Sequence, residues 1–283
     1  MNPSSILVLT LLIGAGSFLA GLVGAMTGLG GGVVLIPMLT LGFGVDIRYA
    51  IGASLVSVIA TSSGAAAAYV REGYTNIRVG MLLEIATSLG AIAGAFLAAW
   101  VNPMWIGLIF GVVLLHASYT SFRPPVHTEA VPNSSDSLPH RLRLDGTYPT
   151  PQGMKPYFVR NVPAGFGLMG IAGVLSGLLG IGSGAVKVLA MDRAMKLPFK
   201  VSTTTSNFMI GVTAAASAGV YFGRGYIDPG LSMPVMLGVL AGSLLGARLL
   251  AKAPVKQLRI LFGIVIAALA IEMIYNSLKG KLG

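Results

Sequence analysis

Lys187 stands three residues after Gly184 in the run LGIGSGAVKVL (179–189), inside otherwise apolar sequence. A lysine at membrane depth is costly and points to a partner of opposite charge. Its ammonium can hold an anionic substrate or counter-ion. It can also be a structural or interfacial lysine whose head snorkels to a boundary. The break before it contains Gly182, Ser183 and Gly184, and an earlier run, TGLGGGVVLIP (27–37), carries a similar break at Gly30, Gly31 and Gly32. Glycine lets the backbone adopt positive φ and approach a ligand closely. A helix that starts just after such a cluster aims unpaired N–H groups back at it, which favours anions. The two clusters therefore read as a pair of anion cradles. The competing reading is tight helix packing, and it is the better one for Gly90-x-x-x-Gly94 and Gly242-x-x-x-Gly246.

The run STTTSN, Ser202 to Asn207, sets six polar side chains in a row. Hydroxyl and amide donors suit the oxygens of an oxyanion. Each can instead bond back to its own helix. Thr203, Ser206 and Asn207 are three or four apart and share a face, which favours them as ligands. Ser54 is the equivalent of Ser206 in the first half. Glu84 and His116 interrupt other apolar segments, where each can relay protons or bond a neighbouring helix. No nucleophile stands with a base, so no catalytic residue is expected. The chain has no cysteine, and His127 and His140 lie apart from other ligands. No metal and no cofactor is expected from such a set. GLGGGV lacks the preceding strand of a dinucleotide site and the acidic residue about 20 positions on, the nearest following acid being Asp46.

The elements that position these residues occur twice. Adding 152 to positions in the first half lands on like residues in the second, without a gap. Gly28, Gly30 and Gly32 meet Gly180, Gly182 and Gly184; Ser54 meets Ser206; Tyr69 meets Tyr221; Phe110-Gly111 meets Phe262-Gly263. Lys187 meets Leu35, and Glu84 meets Met236. Each unit has five apolar segments, at 6–27, 32–45, 48–70, 77–101 and 104–122, then 162–179, 184–197, 200–222, 229–251 and 255–277. The second of each is short. About 14 residues of helix reach about 21 Å, less than the roughly 30 Å hydrocarbon core. A hairpin or broken helix turning inside the membrane is the simplest geometry, although a full crossing stays open.

Hydrophobic residues make up 54% of the chain and charged ones 10%, with mean hydropathy +0.82. A soluble domain carries about 25% charged residues, so these charges cannot cover a soluble surface. The expected fold is an all-α, multi-pass membrane protein of two inverted-topology repeats, 1–122 and 161–283, joined by a polar, proline-rich, solvent-exposed linker at 123–160 with a small hairpin near Asp145-Gly146. MNPSSILVLTLL lacks a basic leader region and reads as a first membrane helix rather than a cleaved signal. If each unit changes sides an odd number of times, Arg48, Arg224, Lys279 and Lys281 fall on one side and, apart from Lys187, the other fourteen lysines and arginines on the other. The excess marks the cytoplasmic side, with both termini outside and the linker in the cytoplasm. The basic residues are scattered over short loops, so nucleic acid is not an expected partner.

The run GLLGIGSGAVKVLAMDRAMKLPFKVSTTTSNFMIGVTAAASAGVYFGRGYIDP, echoed by GAMTGLGGGVVLIPML and IGASLVSV, resembles the sulfite exporter TauE/SafE family. The likeness covers both halves outside the linker. It implies a secondary transporter in the cytoplasmic (inner) membrane that moves a small sulfur-containing anion such as sulfite, thiosulfate or an organosulfonate like sulfoacetate. Ser183 and Leu189 depart from the family's usual glycine and proline, which bears on pocket detail. Direction, a coupling ion (H+ or Na+) and a homodimer stay open. The alternative is a membrane-embedded enzyme or a non-transporting binding subunit.

Overall fold

In lipid, each apolar segment must satisfy its own backbone hydrogen bonds, and the helix does so. The computed structural model describes residues 3–27, 31–71, 73–122, 137–150, 153–250 and 255–281. The first half comprises α1 (Pro3–Thr27), α2 (Gly32–Pro37), α3 (Ile47–Arg71), α4 (Ile77–Trp100) and α5 (Pro103–Phe122). The link carries α6 (Ser137–Arg141) and the strands β1 (Gly146–Thr150) and β2 (Gly153–Tyr157). The second half comprises α7 (Val162–Leu179), α8 (Gly184–Leu189), α9 (Phe199–Gly223), α10 (Pro229–Leu250) and α11 (Val255–Leu278). Both short helices run on into a π-helical turn, Met38–Gly42 after α2 and Ala190–Ala194 after α8. Among the described residues, Leu7–Gly24, Ile77–Trp100, Val162–Leu179 and Pro229–Gly246 are long and apolar enough to cross a membrane, and other apolar helices are shorter.

The helices pair across the two halves. α1 packs on α10 and α4 on α7; α3 packs on α9 and α5 on α11. The first two pairs are close and parallel because small residues let backbones touch. A Cβ on Gly90 would lie 2.3 Å from the Gly170 carbonyl oxygen, and one on Gly242 would lie 2.0 Å from that of Phe18. Those two contacts are the same contact in the 152-residue register, with the halves exchanged. The packing reading of the GxxxG pairs therefore holds at Gly90 and Gly242, and also at Gly94, whose Cβ would lie 2.1 Å from the Val174 carbonyl oxygen.

Loops gather at two ends. At one, Asn76 donates to the Leu144 carbonyl and the Tyr157 hydroxyl, both at 2.8 Å, and the Arg160 N–H donates to the Met195 carbonyl at 3.0 Å. At the other, the Arg48 guanidinium donates to the Ala98 and Val101 carbonyls at 3.2 and 3.0 Å. It thereby closes the C-terminus of α4, where a cation is favoured, and it also stacks on Tyr226.

Much of the described linker is exposed, as expected, but part of it is docked. β1 and β2 form the antiparallel hairpin, with Gly146 opposite Tyr157. Yet Leu144, Tyr157 and Val159 are buried with Val79, Met195, Leu197 and Val201. These apolar side chains lose water only by docking on the helix ends, and burial pushes the Tyr157 phenol above its ordinary pKa. His140 is exposed, as expected for a solvated loop residue, whereas His127 lies outside the described residues.

Candidate functional site

The chain reverses between α7 and α8 within four residues. Gly180, Gly182 and Ser183 all take left-handed φ, at +66°, +69° and +46°. α7 starts at the linker end and α8 returns there, since the Met195 carbonyl that follows it meets Arg160. The loop between them is thus a tip inside the protein, with Gly180, Ile181, Gly182 and Ser183 buried. Backbone that leaves the helix at membrane depth persists only when protein or water surrounds it.

The first break meets this tip. Ser54, fully buried on α3, donates to the Gly180 carbonyl at 2.9 Å. A Cβ on Gly32 would sit 2.6 Å from the Ser54 hydroxyl and 3.2 Å from that same carbonyl oxygen, so only a glycine fits there. Gly31 precedes α2 and accepts from the Val34 and Leu35 N–H groups. Gly30 lies outside the described residues. On the other side, the Ser206 hydroxyl donates to the Gly184 carbonyl at 3.2 Å. The Ser183 hydroxyl is buried with no hydrogen-bond partner. Residues expected to converge, Gly32, Ser54, Gly182, Ser183, Gly184 and Ser206, therefore do share one region.

Lys187 is fully buried. Its Nζ donates to the Thr213 hydroxyl at 2.5 Å, and that hydroxyl donates to Glu84 Oε1 at 2.7 Å. Ser88 also donates to Oε1, at 2.9 Å, while Oε2 is buried without a partner. Three elements, α8, α9 and α4, thus contribute to one charged chain. Of the two readings left open for Glu84, a bond to neighbouring elements is present. Thr213 escaped the sequence reading, although it falls seven residues after Ser206, two turns along the same face. The positions equivalent to Lys187, Glu84 and Thr213 in the other half are Leu35, Met236 and Thr61, so the charged chain is built once.

Of the remaining expected ligands, Thr203 is engaged within its own helix, its hydroxyl donating to the Phe199 carbonyl 2.9 Å away. Asn207 is half-buried beside Ser206. Within the neighbouring run, Thr204 bonds back to Lys200, and Thr205 accepts from the Asn76 N–H. His116 is exposed on α5. A groove of about 490 Å³ lies apart from these residues, between α1, α2 and α11, and its lining is apolar except for Glu272.

The family model described as "Sulfite exporter TauE/SafE" matches residues 13–273. The chain is 25% identical to the probable membrane transporter protein YunE of Bacillus subtilis, over 92% of this chain and 95% of that one. It is 28% identical to the probable membrane transporter protein YdhB of the same organism, over 82% and 86%. A probable membrane transporter protein of Methanocaldococcus jannaschii is 25% identical over 95% and 96%. No solved structure matches the chain.

Proposed function

The chain belongs to the sulfite exporter TauE/SafE family, a family of membrane transporters, and from that membership we propose that it moves small sulfur-containing anions across the cytoplasmic membrane by alternating access. Sulfite, thiosulfate and organosulfonates such as sulfoacetate are the candidate cargoes. The observation that carries this reading is a fully buried lysine, Lys187, one turn beyond a glycine break that meets a second glycine break from the other half. An anion held there contacts the helix starts after Gly31 and Ser183, together with Lys187. The unpartnered Ser183 hydroxyl is an available donor, and Ser54, Ser206 and Asn207 line the approach.

Two inverted repeats supply the moving parts. The exchange of halves in the α1–α10 and α4–α7 contacts supports this, as does the entry of the α7–α8 turn from the linker end. Transporters of this design bind at the repeat interface and rock one unit against the other. The sidedness of lysine and arginine supports a cytoplasmic linker with both termini outside.

The test is flux. Purified protein in liposomes should accumulate ³⁵S-labelled sulfite, thiosulfate or sulfoacetate down an imposed gradient, and Lys187→Ala should abolish the signal. Liposomes no more permeable to any of the three than protein-free ones would refute the transport reading.

A further inference from the structure

We propose that Glu84 is a built-in counter-anion for Lys187, and that a proton on Glu84 must accompany each anion bound, so that transport is anion–proton symport. The inference rests on the anion reading above and adds its coupling ion. Four observations carry it. Lys187 is fully buried, and its Nζ reaches Glu84 through a single hydroxyl, that of Thr213. Glu84 Oε2 is buried without a partner, so one carboxylate oxygen has no donor and is free to take a proton. Thr213 has a second acceptor in reach, the Met209 carbonyl at 3.1 Å. Finally, both ends of the pair are absent at the equivalent positions of the other half, Leu35 and Met236. A lysine kept for the anion alone does not require a carboxylate that likewise lacks a counterpart at its equivalent position.

The elements around the pair carry few other titratable side chains. α7 carries no titratable side chain at all. On α9, Lys200 lies over the Tyr74 ring and Tyr221 donates to the Gly177 carbonyl. On α4, Arg78 donates to the Arg143 carbonyl. In the turn after α8, Asp192 is buried and Arg193 is exposed, five and six positions beyond Lys187. The charge that faces Glu84 across Thr213 is therefore that of Lys187.

Without cargo, Lys187 and Glu84 neutralise one another. An arriving anion competes with the carboxylate for the ammonium and would leave an extra negative charge in a poorly solvated site. A proton from water, delivered to Glu84 Oε2, removes that charge. The Thr213 hydroxyl then turns its hydrogen from Glu84 to Met209. Side chains on a helix lean back towards its start, so Lys187 can swing to the Ser183 turn, one turn earlier. Release reverses each step and returns the proton to water on the other side.

The probes are ³⁵S-thiosulfate and ³⁵S-methanesulfonate, whose own charge is constant across the pH range used. Calorimetry of binding in buffers of different ionisation enthalpy counts protons on the wild-type protein directly. About one proton taken up per anion is expected, and affinity should fall as pH rises, by up to about tenfold per pH unit. In liposomes loaded with a pH-sensitive dye, inward label should acidify the lumen. Glu84→Gln should bind anion with an affinity that no longer varies with pH and should move label without acidification, while Glu84→Asp restores it. Label movement by wild-type protein with no proton uptake overturns the coupling but leaves anion transport standing. A pH dependence that survives in Glu84→Gln overturns the assignment to Glu84. No label movement by wild-type protein refutes the anion reading and this inference together.

Discussion

A buried ammonium requires a nearby negative charge, and Lys187 obtains it from Glu84 through Thr213. Breaking a buried pair by removing one partner costs about 3–5 kcal/mol, because the other charge is left uncompensated. The position equivalent to Lys187 provides a control. Leu35 is also fully buried, and Leu35→Ala should cost roughly 2–5 kcal/mol of stability through the cavity it leaves without touching the charge. Lys187→Ala should weaken anion binding by well over tenfold, more than about 1.4 kcal/mol, whereas Leu35→Ala changes it little. Equilibrium binding of labelled anion to both variants in detergent checks this. Equal affinities in wild type and Lys187→Ala would remove the lysine from the site.

Between elements, backbone proximity dominates. A Cβ on Gly177 would lie 2.0 Å from the Ala91 carbonyl oxygen, so Gly177→Ala must push α7 away from α4. Such overpacking costs about 1–3 kcal/mol. Gly167, on the same helix, has nothing within 4 Å of its missing Cβ. There the substitution should stabilise by about 0.5–1 kcal/mol through helix propensity. Opposite shifts in thermal unfolding of the two variants are the expected result. The linker docks by a different device. Asn76 caps α4 by accepting from the Val79 N–H at 3.0 Å and holds the linker through Leu144 and Tyr157. Asn76→Ala should cost about 1 kcal/mol for the cap and release the hairpin, read as faster protease cleavage within residues 137–160. Unchanged cleavage would show that the buried apolar contacts alone hold it.

At the scale of the whole molecule, charge is segregated between the two ends. Tyr74, Asn76, Leu144, Met195 and Lys200 meet at one end, and Arg48, Tyr226 and Arg224 with Phe96 gather at the other. The proposed orientation, with the richer end in the cytoplasm, rests on the positive-inside rule. A reporter fused after Gly283 that is active only outside the cytoplasm should therefore give signal, and one inserted in the linker should not. The reverse pattern would invert the orientation while leaving the internal contacts unaltered.

Local pattern was enough for much of this. Apolar runs interrupted by GLGGG and GIGSG set the helix order and the two short segments, because hydropathy and glycine content are properties of neighbouring residues. The 152-residue register exposed the duplication, and K/R placement separated the ends. Sequence spacing also marked Ser54, Ser206 and Lys187, but it favoured Thr203, which bonds its own helix, because a hydroxyl in a helix chooses between its own turn and a neighbour only once that neighbour is in place. Tertiary structure alone decided the pairing of Lys187 with Thr213 and Glu84. Thr213 and Glu84 are 129 positions apart, and no periodicity within one helix encodes which residue of another will face it. The same holds for the linker: Leu144, Tyr157 and Val159 read as isolated apolar residues in a polar stretch until Val79, Met195 and Leu197 supply the surface that excludes water from them.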